Sequence, residues 1–143
     1  MGLAQVRTAI VKAADLVMKA SPFLFTDDQL IYENTPAPVT AGAWAQYMFA
    51  PRRPVVATLG GGGQDMVVGI FRVDVRLPLD TGVNIGLALT DAFRSALPAG
   101  TRLSFEGQEV TVLNIGAETG RVVDTWYRTD IAIAFRAYLP RGG

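Results

Sequence analysis

The sequence predicts an α+β domain, a largely antiparallel or mixed sheet with two helices packed on one face and a C-terminal β-hairpin. Three observations carry this. Two segments show helical periodicity, one at the start and one past the middle of the chain. The longest strand-like stretch, VVGIFRVDVRLPL, places Phe71, Val73, Val75 and Leu77 in alternation with Arg72, Asp74 and Arg76, the period-two signature of a sheet with two unlike faces. The remaining strand-like segments follow one another without intervening helices, which favours antiparallel pairing over a βαβ crossover.

Residues 3 to 20 open the order of elements as an amphipathic helix. Gln5, Thr8, Lys12, Asp15 and Lys19 form the polar stripe, and Leu3, Val6, Ile10, Ala13, Ala14 and Val17 face the other way. Ser21-Pro22 ends it, because the residue before proline is pushed out of the helical region. LIYEN (30 to 34) reads as a short strand and TPAPVTAG as a loop. AWAQYMFA (43 to 50) is strand-like, PRRP breaks the chain, and VVATL (55 to 59) is a short apolar strand. Four glycines follow, then the long alternating strand, which Pro78 stops. A second helix is expected from Thr81 to Leu97, with Asp80 or Thr81 as its cap and Ile85, Leu89, Ala92, Phe93 and Ala96 as its buried stripe. RLSF-EGQ-EVTVLNI is a hairpin turning at Gly107, and AETGRVVD leads into the last strand. In that strand Ile131, Ile133, Phe135, Ala137 and Leu139 share one face, while Asp130, Arg136 and Tyr138 share the other.

Composition narrows the function. The 143 residues are half hydrophobic and 18% charged, the profile of one folded domain spanning residues 1–143. No apolar run approaches the ~18 residues a membrane span needs, and charged residues interrupt the N-terminal helix, so neither a span nor a signal peptide is expected. Thirteen basic and thirteen acidic residues cancel, against a generic grip on nucleic acid. Cysteine and histidine are both absent. Thiolate nucleophiles, cysteine metal sites, the commonest general base at neutral pH and the commonest transition-metal ligand are therefore excluded. No enzymatic activity, metal or cofactor is expected.

The glycine run TLGGGGQDM fails as a phosphate cradle. Gln64-Asp65-Met66 supplies neither the lysine nor the hydroxyl of a P-loop, and a strand, not a helix, follows, so no set of free amides awaits an anion. A mobile loop between strands is the plainer reading. Asp27-Asp28 lacks the surrounding oxygen ligands a hard cation requires and reads as a solvated turn or helix cap. Glu106 and Glu109 flank a turn. Trp44, Trp126 and Tyr127 are core or interface aromatics by default. Arg72, Asp74 and Arg76 read as a solvated sheet face whose mixed sign also suits registry against a neighbouring chain.

The order of signals resembles the tail terminator proteins of long-tailed bacteriophages. The leading helix, the tryptophan-bearing AWAQYMF, TLG with its glycine loop, GIFRVDVRLPLDTG, LALTDAFRSAL and VVDTWYRTDIAIAFRAYL carry the likeness, which covers residues 3 to 139. The resemblance implies a structural virion subunit without enzymatic activity, assembling into a ring, commonly hexameric, at the head-proximal end of the tail. There it would stop tube polymerisation and offer a surface for head joining. Implied partners are further copies of itself, the tail-tube protein and a head-completion or connector protein, with DNA passing through the lumen unbound. In such a ring the exposed segments would make the contacts, so the candidate interface residues are Arg52, Arg53, Gly61, Gly62, Gln64, Asp65, Arg72, Asp74 and Arg76. A tube or connector subunit shares the same small α+β plan. A ligand-binding or carboxylate-based enzyme domain would instead need ionisable residues converging on a pocket.

Overall fold

A computed structural model describes residues 2–32, 42–60, 62–78, 83–117, 121–123 and 126–140. Helix α1 (Leu3–Lys19) is followed by a short 3-10 turn (Asp27–Gln29), and then by strands β1 (Leu30–Ile31), β2 (Trp44–Pro51), β3 (Val55–Val56) and β4 (Gln64–Pro78). Helix α2 (Val83–Ala96) precedes β5 (Arg102–Phe105), β6 (Gln108–Ala117), β7 (Arg121–Val123) and β8 (Trp126–Pro140). The strands form one sheet in the order β1-β2-β4-β8-β6-β5, with β3 beside β4 and β7 beside β8. Only the β1–β2 pairing is parallel among the described residues. The α+β class with a mixed, mainly antiparallel sheet is therefore the observed one, and β7–β8 is its C-terminal hairpin.

Boundaries shift where a partner strand overrides local pattern. The segment expected at 30 to 34 is a strand only over Leu30–Ile31, and its last two residues lie outside the described ones. The segment at 55 to 59 shortens to Val55–Val56. The long strand begins earlier than expected, at Gln64, because Gln64 and Asp65 pair with Pro140 and Leu139 of β8. These two residues are strand, not loop. The loop at 35 to 41 and the expected cap at Asp80 or Thr81 fall outside the described residues.

Both helices cover the same sheet face. Val6, Ile10, Ala14, Val17 and Met18 of α1 and Leu89 and Phe93 of α2 meet Tyr47, Phe71, Val73, Val75, Ile131, Ile133 and Phe135 in one buried cluster. Burying each such large side chain contributes roughly 1.5–3 kcal/mol. The stripe on α2 differs from the expected one: Ile85 and Ala96 are exposed, whereas Gly86, Thr90 and Leu97 are buried. The cause is Gly86, where a Cβ would lie 2.7 Å from Thr129 Oγ1 of β8. The bare backbone lets α2 settle on the sheet at Gly86 and turns Ile85 outward. On α1, Leu3 is exposed at the helix start.

The middle of the sheet is locked by Gly69. It lies opposite Pro51 on β2 and Phe135 on β8, and a Cβ there would come within 2.6 Å of Ala50 O and 2.8 Å of Phe135 Cζ. Phe49 and Phe135 stack at this level with ring centroids 5.4 Å apart and planes 13° from parallel. Near the edge the pairing slips. From Pro51–Gly69 to Val55–Met66 the outer strand advances four residues while β4 advances three, so Arg52-Arg53-Pro54 form a bulge. Pro54 has no N–H to give to the ladder, which accounts for the break.

Candidate interaction surfaces

The sheet face turned away from the helices carries a compact charge network. Asp74 on β4 stands directly opposite Asp130 on β8, with Arg76 opposite Arg128 one pleat along. Arg128 Nε lies 3.1 Å from Oδ1 of both Asp74 and Asp130; it donates a hydrogen bond to Asp130 and approaches Asp74 as an ion pair. Arg76 reaches Asp74 Oδ2 at 3.6 Å and lays its guanidinium 5.1 Å from the Trp44 ring centroid, a cation–π contact. Two acids and two arginines thus balance on a surface expected to be solvated.

That expectation requires correction. Arg72 is exposed and Arg76 half-buried, but Asp74 is 4% exposed and Asp130 6%. Alternation along β4 identifies the face, and whether a face is covered depends on its neighbours: Trp44 and Gln46 of β2 flank Asp74 on one side and Arg128 and Asp130 of β8 on the other. Burial pushes the Asp74 carboxyl above its ordinary range; Arg128 and Arg76 pull it back and Asp130 raises it further. A buried ion network of this kind fixes register, since slipping β4 against β8 by one residue would bury unpaired charge.

The other candidate residues lie toward the opposite end of β4. Arg52 and Arg53 are exposed in the bulge, and the Arg52 N–H donates to Val68 O at 2.8 Å. Gln64 is exposed and Asp65 half-buried, both in β4. Gly62 is exposed, whereas Gly61 lies outside the described residues. The loop between β3 and β4 is held at its base by Thr58: Gln64 N–H donates to Thr58 Oγ1 at 2.7 Å, and Ala57 and Thr58 N–H donate to Gln64 O at 3.0 Å. Because β4 starts at Gln64, the glycines open a strand and no helix N-terminus follows them. Structure therefore brings Asp74 and Arg76 together in one cluster and sets Arg52, Arg53, Gly62, Gln64 and Asp65 apart from it.

Sequence reasoning missed a cleft between β6 and β8. The two strands pair as far as Thr111–Arg136 and then part. Gln108 bridges the gap, its Nε2 donating to Tyr138 O at 3.0 Å and to Glu109 O at 2.9 Å. A cavity of about 350 Å³ lies there, lined by Gln64, Gln108, Thr111, Arg136, Tyr138 and Pro140 among others. Gln108 Oε1 and Arg136 Nε are buried without hydrogen-bond partners, and the Arg136 guanidinium lies 5.7 Å from the Tyr138 ring centroid. Its sequence signal was the pair Arg136 and Tyr138 on the polar side of β8; nothing local shows that β6 parts from β8 beside them.

Among the described residues, no group of three or more Asp or Glu is arranged to hold a metal ion, and no helix is long and apolar enough to cross a membrane. Asp27, one of the two acids at 27–28, pairs with Lys19 and sits with Asp28 in the 3-10 turn.

No protein-family model matches the chain, and no curated protein sequence does. Solved structures do share its fold. One superposes with a TM-score of 0.73 at 19% identity over 96% of each chain. Another belongs to the virion of a native gene transfer agent particle, with a TM-score of 0.53 at 16% identity, again over 96% of each chain. At these identities the likeness establishes a common α+β fold, from end to end of both molecules.

Proposed function

We propose that the chain is a structural virion protein, a tail terminator that assembles into a ring, caps the tail tube and presents a surface for head joining. The observation that carries this reading is the end-to-end fold likeness to a chain of a gene transfer agent virion, in agreement with the resemblance read from the sequence. Its exposed features suit protein contacts: the Arg52–Arg53 bulge, the glycine loop and Arg72 present charge and backbone to a neighbour. The buried carboxylates Asp74 and Asp130 are paired with arginines, and their burial denies them the access that acid–base chemistry needs. We assign the protein no chemical step. Its zero net charge fits a channel through which DNA slides without sticking.

Light scattering coupled to size exclusion, with negative-stain images of the same peak, tests the assignment. A closed ring that stops at one size, and that limits the length of tail tubes when added to the tube protein, is the expected result. Long stacked polymers would make it a tube subunit. A monomer that ignores both tube and connector proteins would overturn the virion reading.

A further inference from the structure

Two apolar surfaces lie at opposite ends of β4. The first is the β3 limb, where Val55 is 53% exposed, Val56 60% and Leu59 90%. Single exposed apolar residues are ordinary, but three large ones within so short a segment form a patch. The limb is also fixed in place. Ala57 and Thr58 N–H donate to Gln64 O, and Thr58 Oγ1 accepts from Gln64 N–H. Past Leu59, Gly60 turns the chain at φ 95° and accepts from Gly63 N–H at 3.1 Å. Leu59 is thus held outward between two anchored points, with little freedom left to lose on docking.

The second surface is a groove of about 570 Å³ at the other end of the strand. Its eight lining residues are all apolar, among them Phe23 and Phe25 from the turn after α1, Leu77 and Pro78 at the end of β4, and Ile85 and Ala88 from the first turns of α2. A lining without side-chain donors or acceptors selects an apolar occupant, since a polar group there would lose its water without gaining a partner. Leu24, between the two phenylalanines, is 61% exposed at φ 54°, a left-handed conformation that leucine rarely adopts. Outliers of this kind cluster at sites that clamp a ligand.

Limb and groove cannot meet within one copy. β4 runs from Met66, which pairs with Val55, to Leu77 in the groove wall without a break in its register against β8, roughly 36 Å at the ordinary strand rise. Copies set end to end along β4 in one orientation bring the limb of each to the groove of the next. A contact between two unlike surfaces closes into a ring when the rotation from copy to copy allows it. We propose that the Val55–Leu59 limb of one copy docks in the groove of a second copy, Leu59 entering it and the two valines resting against its rim. The inference rests on the ring reading above and names the contact that builds the ring.

The absence of native cysteine gives a clean test. Leu59→Cys and Ala88→Cys proteins, each with one thiol at an exposed position, are mixed under conditions where light scattering reports a ring, then oxidised. The expected product is a heterodimer on a non-reducing gel, in excess over either homodimer. Leu59→Ser should leave the melting temperature of the subunit unchanged and weaken assembly at least tenfold, while Leu59→Met, which stays apolar, should keep it. A ring that forms without the heterodimer, or that tolerates Leu59→Ser, overturns this contact and leaves the ring reading standing. So does a Leu59→Ser ring that is intact but no longer caps tubes, which would give the limb to the tube protein. A chain that stays monomeric at every concentration and beside its tube protein overturns both.

Discussion

Asp74 shows how one residue's environment departs from its position in a pattern. It faces Arg76 from its own strand, Arg128 and Asp130 from β8, and Trp44 and Gln46 from β2, and burial outweighs its two arginines in raising its carboxyl above the ordinary value of 3.8. A carboxyl raised on folding is held protonated more tightly by the native state. Its stabilising contribution is therefore complete below about pH 3.8 and is lost as pH rises through the raised value. Each tenfold difference in proton affinity between the two states is worth about 1.4 kcal/mol. Thermal melts of wild type and Asp74→Asn across pH 3 to 7 check this, the pH span being on the order of the carboxylate range. The wild type's stability relative to the variant should fall as pH rises over that window. The opposite slope would mean that Arg76 and Arg128 outweigh burial. Gly69 permits an equally local prediction. A methyl there meets backbone at Ala50 and Pro51 as well as the Phe135 ring, and backbone cannot swing aside. Gly69→Ala should cost about 3 kcal/mol, read as a lowered midpoint in urea, and a neutral effect would show that β2 can shift along β4.

Elements are legible in the sequence where their own pattern decides them. β4 and β8 are fifteen residues each, and the alternation over Phe71–Leu77 and Ile131–Leu139 is long enough for the assignment of their faces to follow from residue order alone. Helix α1 likewise has a stripe long enough to outvote single exceptions such as Leu3. By contrast β1 and β3 are two residues long and exist because a neighbouring strand offers hydrogen bonds, which no local pattern records. The α2 stripe departs from its apparent periodicity for a related reason: Gly86 carries no apolar signal, yet its missing side chain sets the helix against Thr129. The burial of Asp74 and the cleft beside Gln108 leave no local trace because both arise between strands far apart in the chain. A double-mutant cycle tests the α2 contact. Gly86→Ala alone should destabilise by ~1–2 kcal/mol through its clash with Thr129 Oγ1. In a Thr129→Ala background the same change should be neutral or stabilising by up to about 1 kcal/mol, since alanine is the better helix former. Equal effects in both backgrounds would place the constraint elsewhere.

At the scale of the whole molecule, features needed for folding separate from features that the isolated chain does not use. The charge network belongs to the first group. Removing Asp74 together with Arg72 would unsettle the β4–β8 pair as well as any interface, so that pair of changes cannot isolate assembly. Arg52 and Arg53 belong to the second group. They sit exposed in a bulge enforced by Pro54, on the outer edge of the sheet beyond the two residues that β1 covers. A bulge on an edge deters continuous strand pairing and re-aims side chains, and here it aims two adjacent arginines outward. Exposed charges of this kind contribute roughly 0–1 kcal/mol to a subunit's own stability. Replacing both by alanine should accordingly leave the urea midpoint and the melting temperature near wild type, while assembly or tube capping falls at least tenfold through loss of carboxylate contacts that arginine makes in bidentate fashion. Placing lysine at both positions should keep the charge but recover only part of the assembly, because an ammonium lacks the planar fork. The measurement is the length distribution of tubes capped in vitro, with melts of the same preparations alongside. Normal capping by the double alanine variant would make these arginines a solvated edge and put the interface elsewhere on the subunit.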